Sequence, residues 1–193
     1  MRVAFASVVL SLGLAQAGFA QTADMPQGNV EISVIRTERP TVFRVELHNP
    51  GGEALVLNVG MALANGSRQY IDRVHLALTM PDGKVLHLEP MGPGFIAGRV
   101  DPLIVPLPAG ATFAFPVDLQ SYVAPKADVW RVDFAAGTYS LQAEYAGAGV
   151  SSSEANLDVK GIALMPFWKG EVVSSPVEFT VPQDHRSTVR ALP

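Results

Sequence analysis

Apolar residues recur at every second position in short runs, and each run stops at Pro, Gly, Asn or Asp. Residues 41–49 (TVFRVELHN) put Phe43, Val45 and Leu47 on one side and Arg44, Glu46 and His48 on the other. That is the period-two signature of a strand buried on one face. Residues 72–80 repeat it, with Val74, Leu76, Leu78 and Met80 against Arg73, His75, Ala77 and Thr79. Pro81-Asp82-Gly83 and a second run, 84–89 (KVLHLE), follow. Pro presets the first turn position and Gly accepts positive φ, so the pair predicts a hairpin. Residues 29–36, 54–59, 111–119, 137–145 and 171–182 read as further strands, and Pro116 demotes 111–119 to an edge or broken strand. Residues 61–68 fit a helical turn or an irregular crossover. Residues 90–108 read as a long Pro- and Gly-rich loop with short extended pieces, 147–156 as a flexible loop, and 157–170 as irregular. Residues 121–134 resist assignment.

Runs at helical spacing are missing. About seven to nine short strands with turn punctuation predict an all-β single domain, an antiparallel β-sandwich over 29–182. A loose arm at 21–28 precedes it and a frayed tail at 183–193 follows it.

The run Gly137-Thr138-Tyr139-Ser140-Leu141 carries more than alternation. In immunoglobulin-like sandwiches a tyrosine near the start of strand F turns its hydroxyl back onto the preceding corner, with the trace Gly-x-Tyr-x-Cys. Here Leu141 stands at the cysteine position, and Gly137 and Tyr139 are the corner candidates. Further on, Trp168-Lys169-Gly170 precedes Ser174-Ser175-Pro176-Val177 and a last strand. The segment 130–182 thus resembles the closing strands of bacterial exported Ig-like or fibronectin-like domains. Residues 41–89 fit that pattern more loosely, and they also look somewhat like the intracellular proteinase inhibitor sandwich family. Both resemblances imply a fold and transfer no catalytic residue.

The first twenty residues depart from the strand pattern. Met1-Arg2, an apolar stretch from Val3 to Leu14 and small residues up to Ala20 have the layout of a secretory signal peptide, with cleavage expected after Ala20. The stretch is shorter than the about 20 residues that span a bilayer. The sequence therefore predicts export, to the periplasm or beyond, with no transmembrane segment in the mature chain. The formal net charge is −4, and loss of Arg2 makes it one unit more negative. A mildly acidic chain with no basic cluster argues against nucleic acid as a partner. There is no cysteine, which removes thiol catalysis, cysteine-ligated zinc and redox motifs.

Candidate chemistry is sparse. No Gly-x-Ser-x-Gly occurs, and Ser151-Ser152-Ser153 has no neighbouring histidine. A Walker-type phosphate loop is absent too. If Leu78 pairs with Leu86 in the hairpin, then His75, His87 and Glu89 share the polar face, within reach of one zinc or copper ion. The alternative is a solvated polar face. Tyr122, Trp130 and Trp168 lie in or beside expected loops, where a ring can hold a sugar or a protein, or pack into the core. Residues 95–106 (FIAGRVDPLIVP) read as a recognition loop or as an edge strand tucked under the sandwich. The expected function is a non-enzymatic binding or interaction module of the cell envelope, with no cofactor and with a protein or glycan as partner. Two alternatives stand beside it. One is a protease inhibitor presenting 90–110 or 147–156, and the other is a metal-binding or hydrolytic protein using His75, His87 and Glu89.

Overall fold

A computed structural model describes residues 29–63, 66, 68–92, 100–150 and 166–183. The expected leader, the arm and the tail beyond residue 183 lie outside the described residues, as do 93–99 and 151–165. The described chain is built of strands: β1 (Glu31–Arg36), β2 (Val42–His48), β3 (Leu55–Leu63), β4 (Arg68–Tyr70), β5 (Val74–Thr79), β6 (Val85–Pro90), β7 (Val100–Leu107), β8 (Thr112–Asp118), β9 (Tyr122–Val123), β10 (Gly137–Gly147), β11 (Gly170–Val173) and β12 (Val177–Val181). Two single-turn 3₁₀ segments, Leu119–Ser121 and Pro125–Ala127, complete it. The protein is an all-β antiparallel sandwich.

One sheet has the order β11-β10-β5-β6-β9, with β12 also paired to β10. The other side consists of β1-β2-β8 and β4-β3-β7. These two small sheets are joined end to end. β2 pairs with β8 through His48↔Thr112, and β3 pairs with β7 from Leu55↔Leu107 onward. Fully buried Asn49 holds the joint between them. Its backbone exchanges hydrogen bonds with Ala111 (3.0 Å) and Gly110 (2.8 Å). Its Nδ2 donates toward the carbonyls of Glu53 (2.7 Å), Leu107 (3.0 Å) and Pro108 (3.1 Å), and its Oδ1 accepts from Gly51 N–H (3.0 Å). A buried amide is tolerated in an apolar core when its donors and acceptors are matched in this way.

The alternation seen in the sequence becomes the core. Phe43, Val45 and Leu47 of β2 and Leu76 and Leu78 of β5 are buried, as are Leu86 and Leu88 of β6 and Tyr139, Leu141, Ala143 and Tyr145 of β10; all belong to one hydrophobic cluster. Burying each such side chain contributes about 1.5–3 kcal/mol. The β5–β6 hairpin has the expected register, Leu78↔Leu86 and Ala77↔His87. β8 is an edge strand, which leaves Pro116 a place without a ladder donor.

Three expectations need correction. Residues 61–63 are neither a helical turn nor a crossover: β3 continues to Leu63 and pairs back with β4, Met61 facing Tyr70. The stretch 90–108 holds a longer strand than short extended pieces: Val100–Leu107 forms β7 at the edge beside β3, which is the edge-strand alternative for 95–106. The closing strand is also split. β12 pairs with residues 137–141 of β10 and β11 with 144–147. Ser174 spans the break: its N–H donates to Ala143 O (2.8 Å), and its Oγ accepts from Ala143 N–H (3.0 Å).

The Tyr139 hydroxyl donates to the carbonyl of Ala135 at 2.8 Å, the geometry of a tyrosine corner. Its ring stacks on Phe179 (5.3 Å between centroids), with Phe134 5.5 Å away. Gly137 opens the strand where Pro81 packs close, since a Cβ there would stand 2.7 Å from Pro81 Cγ.

Candidate functional site

The three aromatic candidates part company in the structure. Trp168 is buried, 6% exposed, and stacks on Tyr145 at 5.5 Å. Its ring lies against Gly147, where a Cβ would collide with it. Tyr122 is also buried, at 8%, and burial pushes its pKa up to about 12. Neither ring can meet a partner, which corrects that expectation. Both fill the space that the inward side of a strand presents, and flanking Pro and Gly in the sequence disguised it.

Trp130 is different. It is 66% exposed and yet held. Ala124 and Val129 exchange two backbone hydrogen bonds (2.7 and 3.1 Å), closing the turn over Pro125–Ala127. Asp128 follows in the left-handed region, φ 55°, the only non-glycine residue with positive φ among the described residues. Asp tolerates that conformation better than most residues. There its Oδ1 accepts from Trp130 Nε1 at 3.0 Å. Arg131 and Asp133, which follow along the chain, are both strongly exposed. The arrangement is a large aromatic in solvent with a fixed polar edge, in a stretch that carries both signs of charge.

His75, His87 and Glu89 all lie exposed on the outer face of the large sheet. They do not assemble into a site. Among the described residues no three His, Asp or Glu side chains are close enough to hold a metal ion. The reason lies in the pairing. The β5–β6 rungs end at Leu76↔Leu88, so no rung joins His75 to Glu89. The inhibitor alternative also loses part of its loop. Residues 100–107 are bonded into β7, and 93–99 and 151–156 lie outside the described residues.

A feature absent from the sequence reading is a cleft of about 320 Å³ lined by Asn58, Gly60, Met61, Asp72, Arg73, His75, Val100, Pro102 and Ala146. It forms where β3 bulges between Asn58 and Gly60, so that Val59 has no rung on β7. Gly60, at φ 152°, lets the carbonyl of Tyr70 and the side chain of Asp72 come close, where a Cβ would collide. Arg73 is clamped by its backbone to both layers: its N–H points to Val59 O (3.4 Å) and its carbonyl accepts from Ala146 N–H (3.3 Å). The hydrogen-bond partners of the buried Asn58 amide fix which of its ends is oxygen. One orientation makes contacts of 3.4 Å to Gly149 O and from Gly60 N. The other donates to Gly60 O at 3.1 Å and accepts from Arg73 Nε at 3.2 Å, and its donors and acceptors match better. The Tyr145 hydroxyl donates to Asn58 O at 3.1 Å. Burial pushes Tyr145 up to about 12, against the smaller opposing pull of the Arg73 charge and of the bond to Asn58.

No protein-family model matches the chain, and no curated protein matches it either. The class that the fold defines is an all-β antiparallel sandwich.

Proposed function

We propose that the chain is an exported, non-enzymatic interaction module of a bacterial cell envelope, and that Trp130 anchors its partner. One observation carries the reading: Trp130 is 66% exposed while its indole N–H is bound to Asp128 on a closed turn. An exposed indole has apolar surface to bury on contact. A ring already held in place loses little entropy on binding. Asp128, Arg131 and Asp133 supply the polar surroundings that ring such anchors. The signal-peptide layout of residues 1–20 supports the location. The partner is an envelope or extracellular protein or glycan.

The test is a pull-down from envelope extract with the native protein and with Trp130→Ala. Thermal unfolding of both establishes that the variant keeps its fold. The expected result is a partner retained by the native chain and weakened at least about 30-fold in the variant, matching the ~2 kcal/mol of an anchor residue. Equal retention by both proteins, or none by either, overturns the reading. Trp168 is unsuitable as a probe, because removing it opens the core.

A further inference from the structure

The prolines along β7 and β8 form a pattern. β7 ends the row β4-β3-β7 and β8 ends the row β1-β2-β8, so neither has a second ladder neighbour among the described residues. Gly110 and Ala111 bond to Asn49 between the rungs Leu55↔Leu107 and His48↔Thr112. The two outer strands therefore make one continuous edge.

In an antiparallel ladder, successive N–H groups point alternately at the partner strand and away from it. The Leu119 N–H donates to Thr41 O at 3.0 Å, which sets the phase on β8. Phe113, Phe115 and Val117 thus point their N–H groups at β2, and Thr112, Ala114 and Pro116 turn theirs outward. On β7, Pro106 stands opposite Val56 and Pro102 opposite Met61, with Ile104 midway between them. Proline has no N–H to give a ladder, so these positions are the outward ones too. The bulge lies in β3, and the alternation of β7 runs through it. Read outward, the edge is Pro102, Ile104, Pro106, then Thr112, Ala114, Pro116. The Ile104 donor is isolated between two gaps, and the pair on β8 stops at Pro116. A strand laid alongside would find its acceptors unmatched at half of these positions. β1, at the opposite border of its row, has no proline in Glu31–Arg36. The prolines follow one edge and not the sheet as a whole.

We infer that Pro102, Pro106 and Pro116 close the β7–β8 edge to a second copy of this chain. A two-fold pair would lay the same edge of each copy against the other, and an exposed edge without such gaps is a template for that pairing.

The first test is residue-resolved hydrogen exchange on the native protein, at low and at millimolar concentration. The amides of Ile104 and Ala114 should exchange at least about 100-fold faster than the ladder amides of Val105 and Phe115 at both concentrations. The second test restores donors. Pro102→Thr with Pro106→Thr adds two N–H groups without adding a large apolar surface, and each counts twice in a symmetric pair. Sedimentation equilibrium should show self-association at least about tenfold tighter than native, the scale of one or two regained hydrogen bonds. The Ile104 amide should slow as the variant is concentrated. Pro116→Thr, made separately, should do the same for Ala114. The inference fails if the native protein protects Ile104 and Ala114 as well as it does Val105 and Phe115. It fails if the folded variants associate no more tightly than native, or if they associate while Ile104 and Ala114 still exchange freely. A threonine N–H at an outward position meets solvent, so unfolding of both variants would contradict the outward placement itself.

Discussion

Asn49 shows how much one polar side chain can hold in an apolar core. Four backbone groups from two segments depend on its amide: the carbonyls of Glu53, Leu107 and Pro108 and the N–H of Gly51. Replacing it with Ala strands buried carbonyls that water reaches poorly. Asn49→Ala should destabilise the protein by about 2–4 kcal/mol in urea unfolding, since each stranded group costs about 1–3 kcal/mol and partial relaxation offsets some of it. Tyr139→Phe is the milder counterpart. It removes only the hydroxyl that reaches Ala135 and keeps the stack on Phe179, so about 1 kcal/mol is expected. If the two variants came out equal, the joint at Asn49 would be less important than its bonds indicate. Tyr139 was readable in the sequence because its hydroxyl reaches Ala135, a few positions back. Asn49 was not, since its partners at Leu107 and Pro108 lie far along the chain and no local pattern marks a residue that bonds at that distance.

Among the elements, β10 organises the large sheet. It is flanked by β5 on one side and by β11 and β12 on the other, and the pairs Tyr145–Trp168 and Tyr139–Phe179 pack at its two ends. The two tryptophans, Trp168 buried against β10 and Trp130 exposed, therefore predict opposite outcomes. Trp168→Ala should cost about 3–5 kcal/mol, the usual range for emptying a large aromatic site, while Trp130→Ala should stay within about 0.5 kcal/mol of native. Iodide quenching of fluorescence should act mainly on Trp130. Quenching that persists in Trp130→Ala would mean that Trp168 is open to solvent. β2, β5, β6 and β10 were legible because each buries a single face and so alternates. β7 was legible only as one of two alternatives: Ile104 and its neighbours are half-buried on both faces, and Pro102 and Pro106 look like loop residues. The Arg73 cleft was invisible for a related reason. It is assembled from the bulge in β3, the link before β5, and the ends of β7 and β10, and a bulge leaves no mark on the hydrophobic pattern.

At the scale of the whole molecule, the packing couples stability to alkaline pH. Burial raises Tyr122 and Tyr145 from 10.0 to about 12, and Tyr139 is raised as well. A phenol whose folded pKa lies above its unfolded one keeps its full contribution below pH 10. It loses that contribution as pH rises through 10 to 12, where the unfolded chain ionises first. Denaturant midpoints should thus be flat on approach to pH 10 from below and fall steeply above it. A Tyr122→Phe variant should show a shallower fall, and an unchanged slope would place that ring in solvent. The sequence pattern was sufficient for the all-β class but not for the arrangement of the sheets, because alternation names the buried face of a strand and not the strand it meets.

The joined ladder of β2–β3 with β7–β8 also orders events in time. Leu63 and Val100 face each other as a rung, so β4, β5 and β6 belong to an excursion whose two ends meet. Closing such a loop costs entropy that grows with the logarithm of its length. A β5–β6 hairpin that forms first shortens the effective loop, and the β3–β7 rungs can then close around it. The chain is nested, with a local turn inside a distant pairing, so the early hairpin makes the later zipping cheaper.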